Sequence, residues 1–280
     1  MIIDCHTHIF PDEVRKNREV FCQKDKSFSS VYTNHKARLI GAEDLIASMD
    51  EAGIAQSVIC GFPWSEPELC SLHNQYLFDS ASCYPKRLIV FILLLYSDPE
   101  WSRKELERGI KNGAKGVGEI ALYHREMTLR DIEVMKPIFK EMEKRRIPIL
   151  LHTNEHLGHS YPGKGTTPLE IFYQFALNFP SLPILLAHWG GGLPFYELMP
   201  EVAKAMKNVY YDTAASPFLY SKKIYGVARE IVGVEKIIFG SDYPLVRPQR
   251  YFQEIKESGL SKEDQKKILC LNFLEFLQLR

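Results

Sequence analysis

Met1-Ile2-Ile3-Asp4-Cys5-His6-Thr7-His8 is a short apolar run that ends in two imidazoles two positions apart. Residues i and i+2 of a β-strand point to the same side. As a strand, this segment projects His6 and His8 together, the way two ligands are offered to one cation. The same punctuation recurs along the chain. Pro148-Ile149-Leu150-Leu151 ends in His152, Pro183-Ile184-Leu185-Leu186-Ala187 in His188, and Lys236-Ile237-Ile238-Phe239-Gly240-Ser241 in Asp242. Each is an apolar run of strand length capped by a metal-type residue, so the strand ends are expected to converge.

Segments of helical period lie between such runs. Strands are predicted over 2–6, 55–61, 87–95, 115–120, 148–152, 183–188, 208–213 and 236–241. Helices are predicted over 42–52, 67–82, 99–112, 129–146, 166–178, 194–207, 218–232 and 262–278. In the first helix Leu45, Ile46 and Met49 share a face and Gly53 is the stop. In the fourth, Ile132, Met135, Ile138, Phe139 and Met142 recur at helical spacing, with Pro137 as a kink point. Eight strand–helix units with near-continuous apolar strands predict an α/β fold, a slightly distorted (β/α)8 TIM barrel forming one domain over 1–280. A doubly wound open sheet fits less well, because no G-x-G-x-x-G follows the first strand. Two connections are long, 9–41 and 153–165. Both leave the C-terminal ends of strands, the face where barrel enzymes build their sites. Residues 15–40 read equally well as a wall of that site or as a charged, solvated excursion.

The 35 Lys and Arg balance 35 Asp and Glu. No global basic field is available to recruit nucleic acid or an anionic membrane, and the expected partner is a small-molecule substrate. The longest apolar run, Leu88 to Tyr96, is too short to span a bilayer. No basic segment or cleavage pattern precedes His6, so the N-terminus does not read as a signal peptide. Cys5, Cys22, Cys60, Cys70, Cys83 and Cys270 form no C-x-x-C pair. They read as free thiols of a reducing compartment, which makes the expected location cytoplasmic. Cys5 is expected to face away from the barrel axis and to serve packing. The very apolar C-terminal helix, Leu269 through Leu279, is expected to pack on the barrel, with part of it available for a homodimer contact.

Placed on this barrel, His6 and His8 end strand 1, Glu119 strand 4, His152 strand 5, His188 strand 6 and Asp242 strand 8. All fall at the C-terminal mouth. Nitrogen and carboxylate donors suit Zn2+, and also Mn2+, Fe2+ or Ni2+. With no cysteine among them, they read as a catalytic site with open positions. A bound divalent cation lowers the pKa of its water toward neutrality. Asp242 would hold that water and accept its proton as general base. His188 would ligate a second metal or hydrogen-bond the nucleophile or a developing oxyanion. Asp212, ending strand 7, would orient a ligand histidine as an acceptor behind it. Candidate substrate contacts are His156 and His159 in the second long loop, Trp189 after strand 6, and the cations Arg125, Lys164 and Arg247. A cluster of those cations would suit a carboxylate-bearing substrate. Gly190-Gly191-Gly192 would allow close backbone approach beneath the site. His35, His73 and His124 read as surface or loop residues.

Several motifs together resemble one family: Asp4-Cys5-His6-Thr7-His8, Gly116-Val117-Gly118-Glu119-Ile120, Leu151-His152-Thr153, Ala187-His188-Trp189-Gly190-Gly191, Asn208-Val209-Tyr210-Tyr211-Asp212-Thr213 and Phe239-Gly240-Ser241-Asp242-Tyr243-Pro244. In this order they resemble the amidohydrolase superfamily of metal-dependent barrel enzymes, in the amidohydrolase-2 branch that includes aminocarboxymuconate-semialdehyde decarboxylase. The resemblance implies that His6, His8, His152 and Asp242 bind the principal metal and that Asp242 doubles as proton acceptor. His188 is then a ligand or a catalytic partner. Glu119 looks like the carboxylate that bridges two ions in binuclear members. The leading expectation is hydrolysis of a small amide, lactone or other ester. The alternative is non-oxidative decarboxylation at the same metal site. A phosphodiesterase like the TatD-type deoxyribonucleases shares Gly118-Glu119-Ile120, but it predicts a basic stripe that the balanced charge does not supply. A barrel-shaped binding protein would leave a complete ligand set without a purpose.

Overall fold

A computed structural model describes residues 1–278. Eight parallel strands follow one another in the order β1 to β8. They are β1 (Ile3–His8), β2 (Gln56–Cys60), β3 (Leu88–Ile92), β4 (Gly116–Ile120), β5 (Ile149–Leu151), β6 (Ile184–Leu186), β7 (Val209–Asp212) and β8 (Ile237–Ile238). Each coincides with an apolar run read from the sequence. The sheet closes where β8 meets β1: Cys5 N–H donates to Phe239 O (2.9 Å), Asp242 N–H donates to His6 O (2.9 Å), and Thr7 bridges Tyr243. Asp4, buried at that seam, accepts from the backbone and hydroxyl of Ser241. Burial pushes its carboxyl up to about 7. The fold is the (β/α)8 barrel.

Alternation along the strands builds two cores. Ile149, Leu151, Ile184, Leu186, Val209 and Tyr211 pack outward against helix residues such as Met135, Phe139 and Phe175. Ile3, Val58, Ile89, Leu150, Leu185 and Ile238 form a separate cluster. It joins strands from opposite sides of the sheet, so it fills the barrel interior. Cys5 belongs to this cluster. It faces the axis, contrary to expectation, because the pairing register of β1 shifts between Asp4 and Thr7 and both Cys5 and His6 turn inward. It still serves packing. Phe273 and Phe276, from the C-terminal helical stretch, enter the same cluster, and Phe276 meets Tyr210 at the start of β7. That stretch therefore plugs the end of the barrel opposite the mouth. Leu279, included in the expected helix, lies outside the described residues.

The helices Ala42–Ala52, Pro67–Cys83, Pro99–Lys111, Leu129–Arg145 and Leu169–Asn178 follow the predicted periods, with Pro137 inside the fourth. The predicted 194–207 helix is interrupted between Leu198 and Pro200, and 218–232 is represented by Ser216–Leu219 and Lys223–Val232. An additional helix, Pro248–Glu257, precedes the C-terminal stretch. Its signal was Pro248 in the first turn, with Tyr251 and Ile255 buried four residues apart. The 9–41 connection is a strap that contains three short helices, Asp12–Lys16, Arg18–Lys24 and Lys26–Tyr32. Its Phe10, Val14, Phe21 and Phe28 pack with Phe62 and Trp64 into a third core. Most of its charged residues are exposed, but Asp25 is buried and accepts from the backbone of Phe28 and Ser65, so the strap is a packed wall and not a solvated excursion.

His73 departs most from its expected surface position. It is fully buried in Pro67–Cys83. Phe62 N–H and Trp64 Nε1–H both donate to its Nδ1, so Nε2 carries the proton and donates to Ile9 O at 2.7 Å. It ties the strap's base to the loop after β2. Among the described residues, no helix is long and apolar enough to cross a membrane.

Candidate active site

At the mouth, the donors meet around Glu119. His6 Nε2 and His8 Nε2 are 3.0 Å apart. Each lies 3.6 Å from a different oxygen of the Glu119 carboxylate. On the other side, His152 Nδ1 is 2.8 Å and His188 Nε2 is 3.7 Å from Glu119 Oε1. The result is two triads, His6-His8-Glu119 and Glu119-His152-His188, that share one carboxylate. Asp242 Oδ1 stands 3.4 Å from His8 Nε2 and 3.8 Å from His6 Nε2. The ion pairs of Glu119 are with histidines; no Lys or Arg among the described residues pairs with it.

Three of the four imidazoles are tied from behind. His6 Nδ1 donates to Asp212 Oδ2 at 2.8 Å, His152 Nε2 to Gly163 O at 3.0 Å, and His188 Nδ1 to Ala214 O at 3.3 Å. Each tie fixes a tautomer and leaves the other nitrogen's lone pair facing the centre, as metal-ligating histidines require. Asp212 also accepts from the backbone N–H groups of His188 and Ala214, so one buried carboxylate aligns β6 and β7 as well as His6. His188 and Asp242 both adopt left-handed backbone, at φ 56°. Non-glycine residues accept that conformation at a cost, and such strain concentrates at functional sites. Gly191 fits here because a Cβ would collide with Asn154 O.

The electrostatics are those of a crowded cation site. Burial alone would raise the Glu119 carboxyl, but His152 and His6 hold it well below the usual range. Asp242 is likewise lowered: burial opposes ionisation and the hydrogen bond from His8 and the charges of His6 and His188 overcome it. Burial would lower His6, but Glu119 and Asp212 raise it well above the ordinary histidine value. His188 is lowered by burial and by the neighbouring His152. Two carboxylates and imidazole lone pairs packed this closely need positive charge between them, either protons or a divalent cation. The donor set therefore fits a metal.

Above the donors opens a cavity of about 540 Å3. Phe62 and Tyr123 form a stacked wall, with ring centroids 5.6 Å apart, and Tyr123 meets His152 edge-on. Tyr32 and Arg38 enter from the strap. Of the expected substrate contacts, His159 lines the cavity and the others do not. Arg125 is engaged by both oxygens of Asp131. Lys164 pairs with Glu155 and donates to Leu157 O and His159 O, stapling the loop after β5. Arg247 is 71% exposed beside Glu51. Trp189 is buried and donates to Ser216. His156 bonds Thr167 O at the surface. The cation that does line the cavity, Arg38, has no acidic partner among the described ion pairs; it lies over the Tyr243 ring at 5.5 Å and donates to the Tyr243 hydroxyl at 3.4 Å. Sequence reading missed it because it lies 30 residues past the HxH motif, in a segment without strand or helix punctuation.

The amidohydrolase family profile matches residues 3–279. The chain belongs to the amidohydrolase family. A curated relative, gamma-resorcylate decarboxylase from Polaromonas sp., is 22% identical over 241 residues, covering 70% of this chain and 72% of its own. The barrel also superposes on 5-carboxyvanillate decarboxylase from Sphingomonas paucimobilis with a TM-score of 0.82, at 15% identity over 99% of this chain and 98% of that one. Dihydroxybenzoic acid decarboxylase from Polaromonas sp., solved with manganese and the inhibitor 2-nitroresorcinol, gives 0.74 at 20% identity over 99% and 97%. The curated relatives from Polaromonas and Rhizobium are all gamma-resorcylate decarboxylases. They overturn hydrolysis as the leading expectation for this amidohydrolase-family enzyme and favour the alternative, decarboxylation.

Proposed function

We propose that this chain is a divalent-metal-dependent, non-oxidative decarboxylase of a hydroxylated aromatic acid. The observation that carries the reading is the pairing of an inward-facing His/Asp/Glu donor set with an aromatic-walled cavity and one Lys or Arg, Arg38, that has no ion pair with an acid among the described residues. The decarboxylase relatives support the reaction type. His6, His8, Glu119, His152, His188 and Asp242 would hold the metal. Glu119 faces both triads, which supports two ions per chain. The donors suit zinc, manganese, iron or nickel, and the manganese in the Polaromonas decarboxylase supports manganese beside zinc.

When bound, the metal supplies an electrophile for the acid's oxygens. Phe62 and Tyr123 wall the ring, and Arg38 binds an anionic oxygen. Asp242, ionised at rest, takes the proton of the substrate hydroxyl and passes it to the ring carbon. As the carbon–carbon bond breaks, carbon dioxide leaves, the electron pair stays on the ring carbon and takes up that proton. Water then reprotonates the hydroxyl.

The six free cysteines support a reducing, cytoplasmic location. With the C-terminal helix turned inward, the exposed Phe195, Tyr196, Leu198 and Met199 are the better surface for the expected homodimer. The test is to incubate the metal-loaded protein with a panel of hydroxybenzoates and follow carbon dioxide and the decarboxylated arene together. Equimolar release from at least one acid is expected, and Asp242→Asn should keep its metal while losing turnover. Intact acids throughout the panel, or turnover by Asp242→Asn near the wild-type rate, would sink the assignment.

A further inference from the structure

Two exposed apolar side chains line the cavity on loops whose backbone is tied down. Leu157, after β5, is 84% exposed, and Phe218, after β7, is 57% exposed. Both line the same cavity as His152 and Asp242. Exposed apolar side chains on loops are ordinarily mobile and unremarked. At these two positions the backbone is held by polar ties. Lys164 donates to Leu157 O at 2.9 Å while paired with Glu155 at 3.0 Å. Arg250 donates to Pro217 O at 2.9 Å and lies over the Phe218 ring, 5.2 Å from its centroid. Apolar side chains on a tied backbone at the rim of a polar floor are how a pocket rewards an apolar extension of its ligand. The cavity volume, about 540 Å3, lies within the range of roughly 300–1,000 Å3 that encloses drug-sized ligands and exceeds the needs of a single-ring acid.

We propose that Leu157 and Phe218 form a specificity subsite for an apolar substituent of the substrate, a second ring or a short alkyl chain, directed away from the donor set. The identity of the head group, an aromatic carboxylate, rests on the proposed decarboxylase reading; the rim itself does not.

The test is calorimetric, on metal-loaded protein, with three probes: salicylate, a phenyl-substituted salicylate, and hydroxybiphenyl, which lacks the acid. The phenyl-substituted acid is expected to bind about tenfold more tightly than salicylate. Leu157→Ser combined with Phe218→Ser should abolish that preference, and Leu157→Ser alone, which has almost no packing to lose, should reduce it. Equal affinity for the two acids, or a preference that survives the double substitution, overturns the subsite. Binding of hydroxybiphenyl with neither acid bound, lost in the double variant, supports the subsite and overturns the carboxylate reading. Silence of all three probes overturns both.

Discussion

The carboxylate of Asp212 holds the imidazole of His6 from behind, with Oδ2 2.8 Å from Nδ1. Neither residue is exposed, and they are 206 positions apart in the chain. This contact decides which nitrogen of His6 faces the site. Replacing Asp212 by Asn should weaken metal binding by about 10–100-fold, the usual effect of losing a carboxylate behind a ligating histidine. Competition with a chromogenic chelator measures it, and an unchanged affinity would remove Asp212 from the site's architecture.

Glu119 serves two triads at once. Wild-type protein should therefore carry two metal ions per chain by plasma mass spectrometry, and Glu119→Gln should carry one. One ion in both proteins would refute the sharing and make His188 a partner of the substrate instead of a ligand.

Arg38 is the cavity's unneutralised cation. Arg38→Met removes charge-assisted hydrogen bonds of about 1.5–3 kcal/mol to an anionic substrate, or about 10–100-fold in affinity. The expected readout is a raised KM or inhibitor Kd with an unchanged melting temperature. An acid that binds both proteins equally would move the anion site elsewhere.

His73 gives a pH signature of stability. Burial lowers its pKa to about 4, against about 6.5 in an unfolded chain. The folded state thus binds fewer protons than the unfolded one between those values. Its contribution is complete above about pH 6.5 and is lost as pH falls toward 4, by about 3 kcal/mol over the window. Protonating Nδ1 would set it against two N–H donors, from Phe62 and Trp64. Urea unfolding of wild type and His73→Gln at pH 7 and 4.5 should show the steeper acid loss in wild type. Parallel losses would mean that other groups govern acid unfolding.

Much of this molecule was legible in the chain. Strand period 2, helix period 3.6 and the eightfold alternation dictated a parallel barrel, because near-continuous apolar strands must be covered on both faces. The residues that cap those strands then had to converge at one mouth, which is why His6, His8, Glu119, His152, His188 and Asp242 could be named together. What periodicity does not encode is which way a loop side chain turns. Arg125, Lys164 and Arg247 are compositionally as suitable as Arg38. Asp131 and Glu155 engage the first two and Arg247 stands at the exposed surface beside Glu51, while the strap's aromatic core carries Arg38 into the cavity. His73 was misread for a related reason: Phe62 and Trp64 of the loop just before its helix fold back onto Nδ1, and its third partner, Ile9, lies 64 positions away. Local pattern determined the scaffold and the donor set. Long-range packing decided which cation enters the cavity, which nitrogen of His6, His152 and His188 faces the site, and which side chains wall the space above them.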